Sequence, residues 1–165
     1  MGQQQLILLL LGVVIVGLAV VVGIQAFHEN ESKAAQDRYT EAGIALVGEV
    51  MAWYEKPRIF GGAGADPSQL SSVTVAALGY AEDDADANRT GVIAGGTARY
   101  VYRTSVPLVQ VHEAPLETGS EIVEVAAFGP DPACIVSQRG YHARPGWTSW
   151  AGGLPSNPAP AVCAW

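Results

Sequence analysis

The chain has 165 residues, a formal net charge of −7 and an apolar fraction of 49%. This length is enough for one domain with a hydrophobic core. Nucleic-acid binding and electrostatic docking on anionic lipid both need clustered Lys and Arg side chains, and this acidic chain carries only nine, scattered along its sequence. We therefore expect no nucleic-acid partner.

An uncharged apolar segment, Leu6–Ile24, lies near the N-terminus. It contains no polar side chain and no proline, and its only residues that are not aliphatic are three glycines. A bilayer core about 30 Å thick is spanned by about 20 apolar residues in a helix, so this segment is long enough to cross a membrane. No charged residue precedes Glu29, so the net charge belongs to the rest of the chain.

Three interpretations of residues 1–25 compete. A cleaved secretory signal needs a basic start and an apolar core of about 7–15 residues, and this segment has neither. A simple membrane anchor fits the length, although positive flanking charges normally fix the orientation of an anchor. The third interpretation is a filament-core helix, which waits in the membrane and then packs against copies of itself. Small residues permit such close packing, and the segment contains Gly12, Gly17 and Gly23.

The helical pattern continues beyond the apolar segment. Apolar residues follow steps of three and four, as in an amphipathic helix, at Ala35, Tyr39, Ala42, Leu46, Val50 and Trp53. Pro57 is the first proline of the chain, and a proline biases the preceding residue away from helix. We therefore expect one helix over residues 3–55, with two helices broken near Gly23–His28 as the alternative.

Residues Met1–Phe27 resemble the N-terminal helix of type IV pilins and related pilin-like proteins. The resemblance rests on the apolar helix, the polar residue at position 5 and the direct continuation into an amphipathic helix. Two features depart from the family pattern. Pilins usually carry a glutamate where this chain has Gln5, and they usually have a proline near the end of the apolar run, where this chain has Gly23.

The resemblance implies a structural subunit of an extracellular pilus-like filament. Such a subunit is held in the inner membrane and is then built, by the pilus assembly machinery, into a helical homopolymer of identical subunits at the cell surface. The residues expected in the filament core are Met1, Gln5, Leu6, Gly12, Gly17 and Gly23. The alternative function is a monomeric, membrane-anchored, extracytoplasmic binding or sensor module.

Residues 57–97 have the composition of a loop-rich connector. The sequence Asp66-Pro67-Ser68 predicts a helix start with proline at the first helical position. Residues 70–78 are mildly apolar and fit either a short helix or a buried strand.

An acidic cluster within this connector has part of the spacing of a calcium loop, at Asp84, Asp86 and Asn88. Arg89 and Gly95 stand where that loop needs a glycine and a glutamate, so we favour a solvated acidic loop over a metal site. Asn88 and also Asn30 begin N-x-S/T sequences, the acceptor pattern for N-glycosylation. That pattern is short and often occurs by chance, so glycosylation is a secondary hypothesis.

Four runs of β-branched and aromatic residues in the C-terminal half predict an antiparallel sheet. They lie at residues 99–106, 108–112, 121–128 and 134–137. The expected fold class is α+β, with a long N-terminal helix, apolar and then amphipathic, packed against this small sheet. The chain is expected to divide into an apolar helix, its amphipathic continuation and a β-rich head, at residues 1–27, 28–56 and 57–165.

The two cysteines, Cys134 and Cys163, lack the CxxC spacing of metal and redox motifs. A single pair in a membrane-tethered domain suggests a disulfide formed in an oxidising compartment, with two free thiols in a cytosolic domain as the alternative. In the pilin family a disulfide commonly closes the C-terminal segment of the head, so the resemblance favours the bridge.

No catalytic motif is recognisable in the sequence. The histidines, His28, His112 and His142, are isolated from one another and from nucleophile motifs. Glu121 and Glu124 are three residues apart in a predicted strand, where side chains alternate between faces, so they make a poor acid–base pair. We therefore expect no enzyme activity and no cofactor.

Overall fold

The computed structural model describes residues 2–80, 90–93, 96–103, 106–112, 120–141 and 163–165. The chain divides into two compact units, Met1–Ala35 and Gln36–Trp165, and we call the second the folded unit. A single helix, α1 (Gly2–Glu55), begins in the first unit and ends in the folded unit. The prediction of one uninterrupted helix is confirmed, because the glycines of the apolar segment do not break it.

An antiparallel sheet of five strands forms most of the remaining regular structure of the folded unit. Neighbouring strands in the sheet are also neighbours in the chain, in the order β1 (Thr90–Ile93), β2 (Gly96–Arg103), β3 (Val106–His112), β4 (Glu121–Ala127) and β5 (Ile135–Tyr141). Short 3₁₀ turns occupy Arg58–Phe60, Pro67–Ser72, Ala76–Leu78 and Pro132–Cys134. The predicted α+β class is thus confirmed.

The sheet differs from the four predicted strands in three places. The first predicted run, 99–106, is divided between β2, which ends at Arg103, and β3, which begins at Val106. Strand β1 lies in the segment assigned to the connector, where a four-residue strand between loop-forming residues leaves little compositional signal. Strand β5 continues to Tyr141, through Arg139 and Gly140, which the sequence predicts as a turn. Pairing of Ile122 with Gly140 and of Val123 with Arg139 supplies backbone partners there, so tertiary context overrides the local preference.

The connector contains 3₁₀ turns where the sequence left a choice between helix and strand. Asp66 caps the turn that begins at Pro67, because its carboxylate accepts a hydrogen bond from the Ser68 backbone N–H at 2.9 Å. The predicted start at Pro67 is therefore confirmed. Residues 70–78 form two such turns and no strand.

The buried face of α1 packs against the sheet at a glycine. A Cβ atom on Gly43 would lie 2.7 Å from Val125 Cγ2 and 3.4 Å from Val111 Cγ2. The residues of α1 that are buried are Tyr39, Gly43, Leu46, Val47, Val50, Met51 and Tyr54. The predicted stripe is thus right at Tyr39, Leu46 and Val50, whereas the three other residues of the stripe, Ala35, Ala42 and Trp53, are only half-buried.

Both faces of the central strands are buried. On the face toward α1, Val109, Val111, Val123 and Val125 have no solvent exposure. Side chains alternate along a strand, and on the opposite face Leu108, Gln110 and Glu124 are also buried. The central strands are therefore apolar on one face and partly polar on the other, although water is excluded from both.

A buried carboxylate lies on this second face, between two glutamines of neighbouring strands. Gln110 Nε2 donates to Glu124 Oε1 at 2.6 Å, and Gln138 Nε2 donates to Glu124 Oε2 at 2.7 Å. The three residues face one another in the strand register. Burial raises the pKa of the Glu124 carboxyl, against the opposing effects of the two amide donors and of the Arg103 charge.

The C-terminal residues are tied to the sheet by a disulfide and by an aromatic contact. Cys134 and Cys163 form the disulfide that the sequence suggested, with their Cα atoms 5.6 Å apart. Trp165 Nε1 donates to the Ala127 carbonyl at 3.0 Å, and the Trp165 ring lies edge-on to Tyr54, at a centroid distance of 5.0 Å. Residues 163–165 thereby link the end of β4 to the last turn of α1.

The packing at Gly43 predicts opposite effects for two alanine substitutions in α1. Alanine raises helix propensity by about 1 kcal/mol at either glycine, but only Gly43→Ala introduces a clash, because a Cβ on Gly48 meets nothing within 4 Å. Overpacking of this kind costs about 1–3 kcal/mol. We expect Gly43→Ala to be less stable than Gly48→Ala by that amount in thermal unfolding of the detergent-solubilised chain. Equal stabilities would show that α1 and the sheet are not in close contact here.

Glu124 predicts a specific pH dependence of stability. Because burial raises its folded-state pKa above the unfolded value, the charged carboxylate opposes folding at neutral pH, and this cost disappears as the pH falls through the folded-state pKa. In chemical denaturation from about pH 8 to about pH 5, we expect wild type to gain stability relative to Glu124→Gln. Other carboxyl groups titrate in both proteins and cancel in the difference. A difference that does not change with pH would contradict the assignment.

Candidate assembly surface

The side chains of the apolar segment are exposed. Its large side chains, from Leu6 to Ile24, are each between 50% and 71% exposed. Within the described residues, α1 is the helix whose length and composition suffice to cross a membrane, with a mean hydropathy of 3.2 over an 18-residue window. Contiguous exposed apolar surface of this extent marks an interaction or membrane site, so the segment needs lipid or protein around it.

The glycines of the segment have no role that the chain itself explains. A Cβ atom on Gly12, Gly17 or Gly23 would meet nothing within 4 Å. In the folded unit the situation is different, because a Cβ on Gly96 would lie 2.6 Å from the His112 carbonyl oxygen. Glycine costs about 1 kcal/mol relative to alanine in a helix interior. The three glycines therefore weaken the helix, and they relieve no contact with the residues that the structure describes.

One face of the segment carries a shallow apolar groove. It has a volume of about 300 Å³ and is lined by Ile7, Leu10, Leu11 and Val14. These positions follow helical spacing, so their side chains lie on one face of α1. Grooves of this kind accept the side-chain ridges of a second helix, and this surface can therefore pack against an apolar helix.

The N-terminal end of α1 is polar and carries no charged side chain. Gln3, Gln4 and Gln5 are exposed and helical, and the first turn contains no acidic residue. The first N–H groups of a helix lack partners inside the helix, so this end presents both backbone donors and side-chain amides. Met1, which the resemblance also places in the filament core, lies outside the described residues.

Several other predicted sites are placed only in part. Asn30 is exposed but lies within α1, so its glycosylation stays a prediction. Asp84, Asp86, Asn88 and His142 lie outside the described residues. In the part of the chain that the structure describes, no three His, Cys, Asp or Glu residues lie close enough together to hold a metal ion.

The reactive side chains among the described residues do not form a catalytic group. His112 and Glu124 are buried within the sheet. An open pocket of about 430 Å³ is lined by Pro67, Ser68, Tyr102, Val106, Phe128, Ala164 and Trp165. The hydroxyl groups among these residues belong to Ser68 and Tyr102, and the Ser68 Oγ donates to the capping carboxylate of Asp66 at 2.7 Å. The absence of enzyme activity stays a prediction.

Two features of the folded unit are not predicted by the sequence. The first is the burial of Glu124, which only the pairing of β4 with Gln110 and Gln138 explains. The second is an exposed apolar pair, Ile59 and Phe60, which lies in a segment that composition identifies only as loop. The sequence signal for this exposed pair is that an aliphatic and an aromatic residue stand side by side in a glycine-rich loop.

Comparison with known proteins finds no match to this chain. No protein-family model matches it, and neither the curated proteins nor the solved structures give a significant match. The long apolar helix, the small antiparallel sheet and the disulfide are compatible with a pilin-like fold, and this compatibility rests on the architecture of the chain alone.

Proposed function

We propose that this protein is the structural subunit of a pilus-like extracellular filament, and that it polymerises through the apolar segment. The observation that carries the proposal is the combination of exposed aliphatic side chains with glycines that relieve no contact with the described residues. Lipid explains the aliphatic side chains. A closely packed neighbouring helix would account for the glycines, which lower helix stability.

In this proposal the bilayer stores the subunit and identical helices replace the lipid in the filament. Lipid tails are as apolar as leucine, so helices in a membrane associate through close packing and hydrogen bonds more than through the hydrophobic effect. Gly12, Gly17 and Gly23 remove side-chain bulk where neighbouring backbones approach. The partners are therefore other copies of the chain, together with the membrane and an assembly machinery that moves the subunit to the cell surface.

Gln5 has a consistent role in such a core. Transfer of a charged carboxylate into a dry interior is costly unless it is paired, whereas an amide needs only hydrogen-bond partners. The Gln5 amide accepts hydrogen bonds from an amine or from the glutamines of a neighbouring copy. It does not provide the charge pairing that the glutamate of pilins provides, so assembly here depends more on packing.

A monomeric membrane anchor is the competing function, because the segment alone meets the length requirement. The two functions differ in what they require of the glycines. Membrane insertion of an anchor is favoured by any substitution that makes the segment more apolar and more helical. Assembly of a packed filament core is weakened by a substitution that adds bulk at the helix–helix contact.

Leucine substitutions at the glycines separate these functions. Gly12→Leu, Gly17→Leu and Gly23→Leu each raise helix propensity by about 1 kcal/mol and favour membrane insertion, so loss of polymer cannot result from failed insertion. We expect wild type to form uniform filaments on cells, and at least one leucine variant to yield on the order of tenfold less polymer. Electron microscopy and membrane fractionation measure the two properties.

Val16→Leu is the matched control, since it changes an exposed aliphatic residue of the same segment without filling a glycine position. We expect this variant to polymerise like wild type. The proposal is wrong if purified wild-type protein is a monodisperse monomer and cells carry no polymer. Filaments that tolerate leucine at all three glycines would instead place the helix–helix contact elsewhere.

A further inference from the structure

The central strands of the sheet carry valine repeats that fit more than one register. On the face toward α1, the facing pairs of β3 and β4 are Val109–Val125 and Val111–Val123. A shift of β3 by two residues along β4 would bring Val111 opposite Val125. It would also bring Val109 opposite Ala127, so this face would stay apolar. A one-residue shift would turn the buried side chains of β3 to the other face, but the valines do not exclude a two-residue shift.

The connection between β3 and β4 is long enough to permit more than one register. Residues 104–105 alone separate β2 from β3, and so short a connection sets the register of a hairpin. The register of β4 and β5 is supported by a closed turn, in which the Phe128 N–H donates to the Cys134 carbonyl at 3.0 Å. Residues 113–120 separate β3 from β4. The sheet therefore joins two hairpins, β2–β3 and β4–β5, and the register at their junction depends on side chains.

The face of β3 and β4 away from α1 carries a polar pair at this junction. Of the five facing pairs between the two strands, Gln110–Glu124 is the one in which both residues are polar. Gln110 Nε2 donates to Glu124 Oε1 at 2.6 Å, and the two residues are 5% and 0% exposed. Gln138 of β5 donates to the other carboxylate oxygen at 2.7 Å. The carboxylate is therefore held between two amides, one from each hairpin.

A two-residue shift in either direction would separate Gln110 from Glu124. Gln110 would then face an apolar residue, Ile122 or Ala126, and Glu124 would lose the amide donor opposite it. A buried polar group that loses its hydrogen-bond partner keeps the cost of its removal from water. The valine face thus tolerates the shift, whereas the polar pair opposes it.

We propose that the Gln110–Glu124 pair selects the register in which the β2–β3 hairpin joins the β4–β5 hairpin. Buried polar residues fix register in coiled coils at a cost in stability, and this sheet has the same combination of a repetitive apolar pattern with one polar pair. The pair lies wholly in the folded unit, so its role does not depend on the proposed filament. It also gives a reason for a carboxylate in a layer where its charge opposes folding.

Gln110→Leu/Glu124→Leu removes the polar pair and keeps the volume of the two side chains similar. We expect this variant to fold, because well-packed apolar residues often replace a buried polar pair without loss of stability, but to populate a second register. NMR of the isotope-labelled full chain in detergent micelles would then show two sets of backbone signals in β3 and β4, with Val111 in contact with Val123 in one set and with Val125 in the other. A single set with the native contacts would overturn the inference.

The matched control is Gln110→Glu/Glu124→Gln, which exchanges the two side chains and keeps an amide opposite a carboxylate. We expect one set of signals and the native register from this variant, in the same micelles and at the same temperature. A second register in the exchanged variant would contradict the inference, because it would show that any change at these positions disturbs the junction.

Gln110→Leu/His112→Gln decides the case in which the leucine variant does not fold. It moves the amide two positions along β3, to the position that a two-residue shift would bring opposite Glu124. The native register would leave this amide opposite an apolar residue. We therefore expect a shift of two residues, recognised by backbone contacts between Val111 and Val125 in the NMR spectra. Native contacts alone in this variant would overturn the inference.

Discussion

The properties of this protein depend on an apolar helix surface that is exposed in the described part of the chain. Residues Leu6–Ile24 expose aliphatic side chains all around the helix, and water is an unfavourable solvent for such a surface. The surface must lie in lipid or against protein. Lipid imposes no need for close backbone approach whereas a packed helix does, and the proposed filament rests on this difference. In that proposal, membrane storage and polymerisation are two uses of one surface.

In the folded unit, the second half of α1 packs firmly on a small sheet. Gly43 brings the helix backbone against Val125 and Val111, where a larger residue would push the two layers apart. The disulfide and the Trp165 ring secure residues 163–165 near the end of β4 and the last turn of α1. The same helix that ends in this packed layer begins in the apolar segment.

The sequence was sufficient for the parts of the fold that depend on local pattern. Hydropathy and the absence of proline before Pro57 predicted α1, and alternation in β-branched runs predicted β2, β3 and β4. The rest depends on contacts between distant residues. Strand pairing extends β5 through Gly140, the close approach to the sheet places Gly43 in the buried face, and the position of Gln110 and Gln138 makes the burial of Glu124 possible. The exposure of Ile59 and Phe60 follows from backbone hydrogen bonds within their loop, which composition does not encode.

Glu124 and Gln5 differ in the hydrogen-bond partners that the folded unit provides for a polar side chain removed from water. Glu124 keeps its carboxyl in a buried layer because the register of β3, β4 and β5 places two amide donors at its oxygens. Such donors are part of the folded unit before any assembly occurs. Gln5 is exposed at the N-terminal end of α1, so in the proposed filament a carboxylate there would depend on a neighbouring copy for its favourable contacts. An amide is less costly to bury, and its place at position 5 fits the proposed core, in which packing at the glycines, more than charge pairing, would hold the copies together.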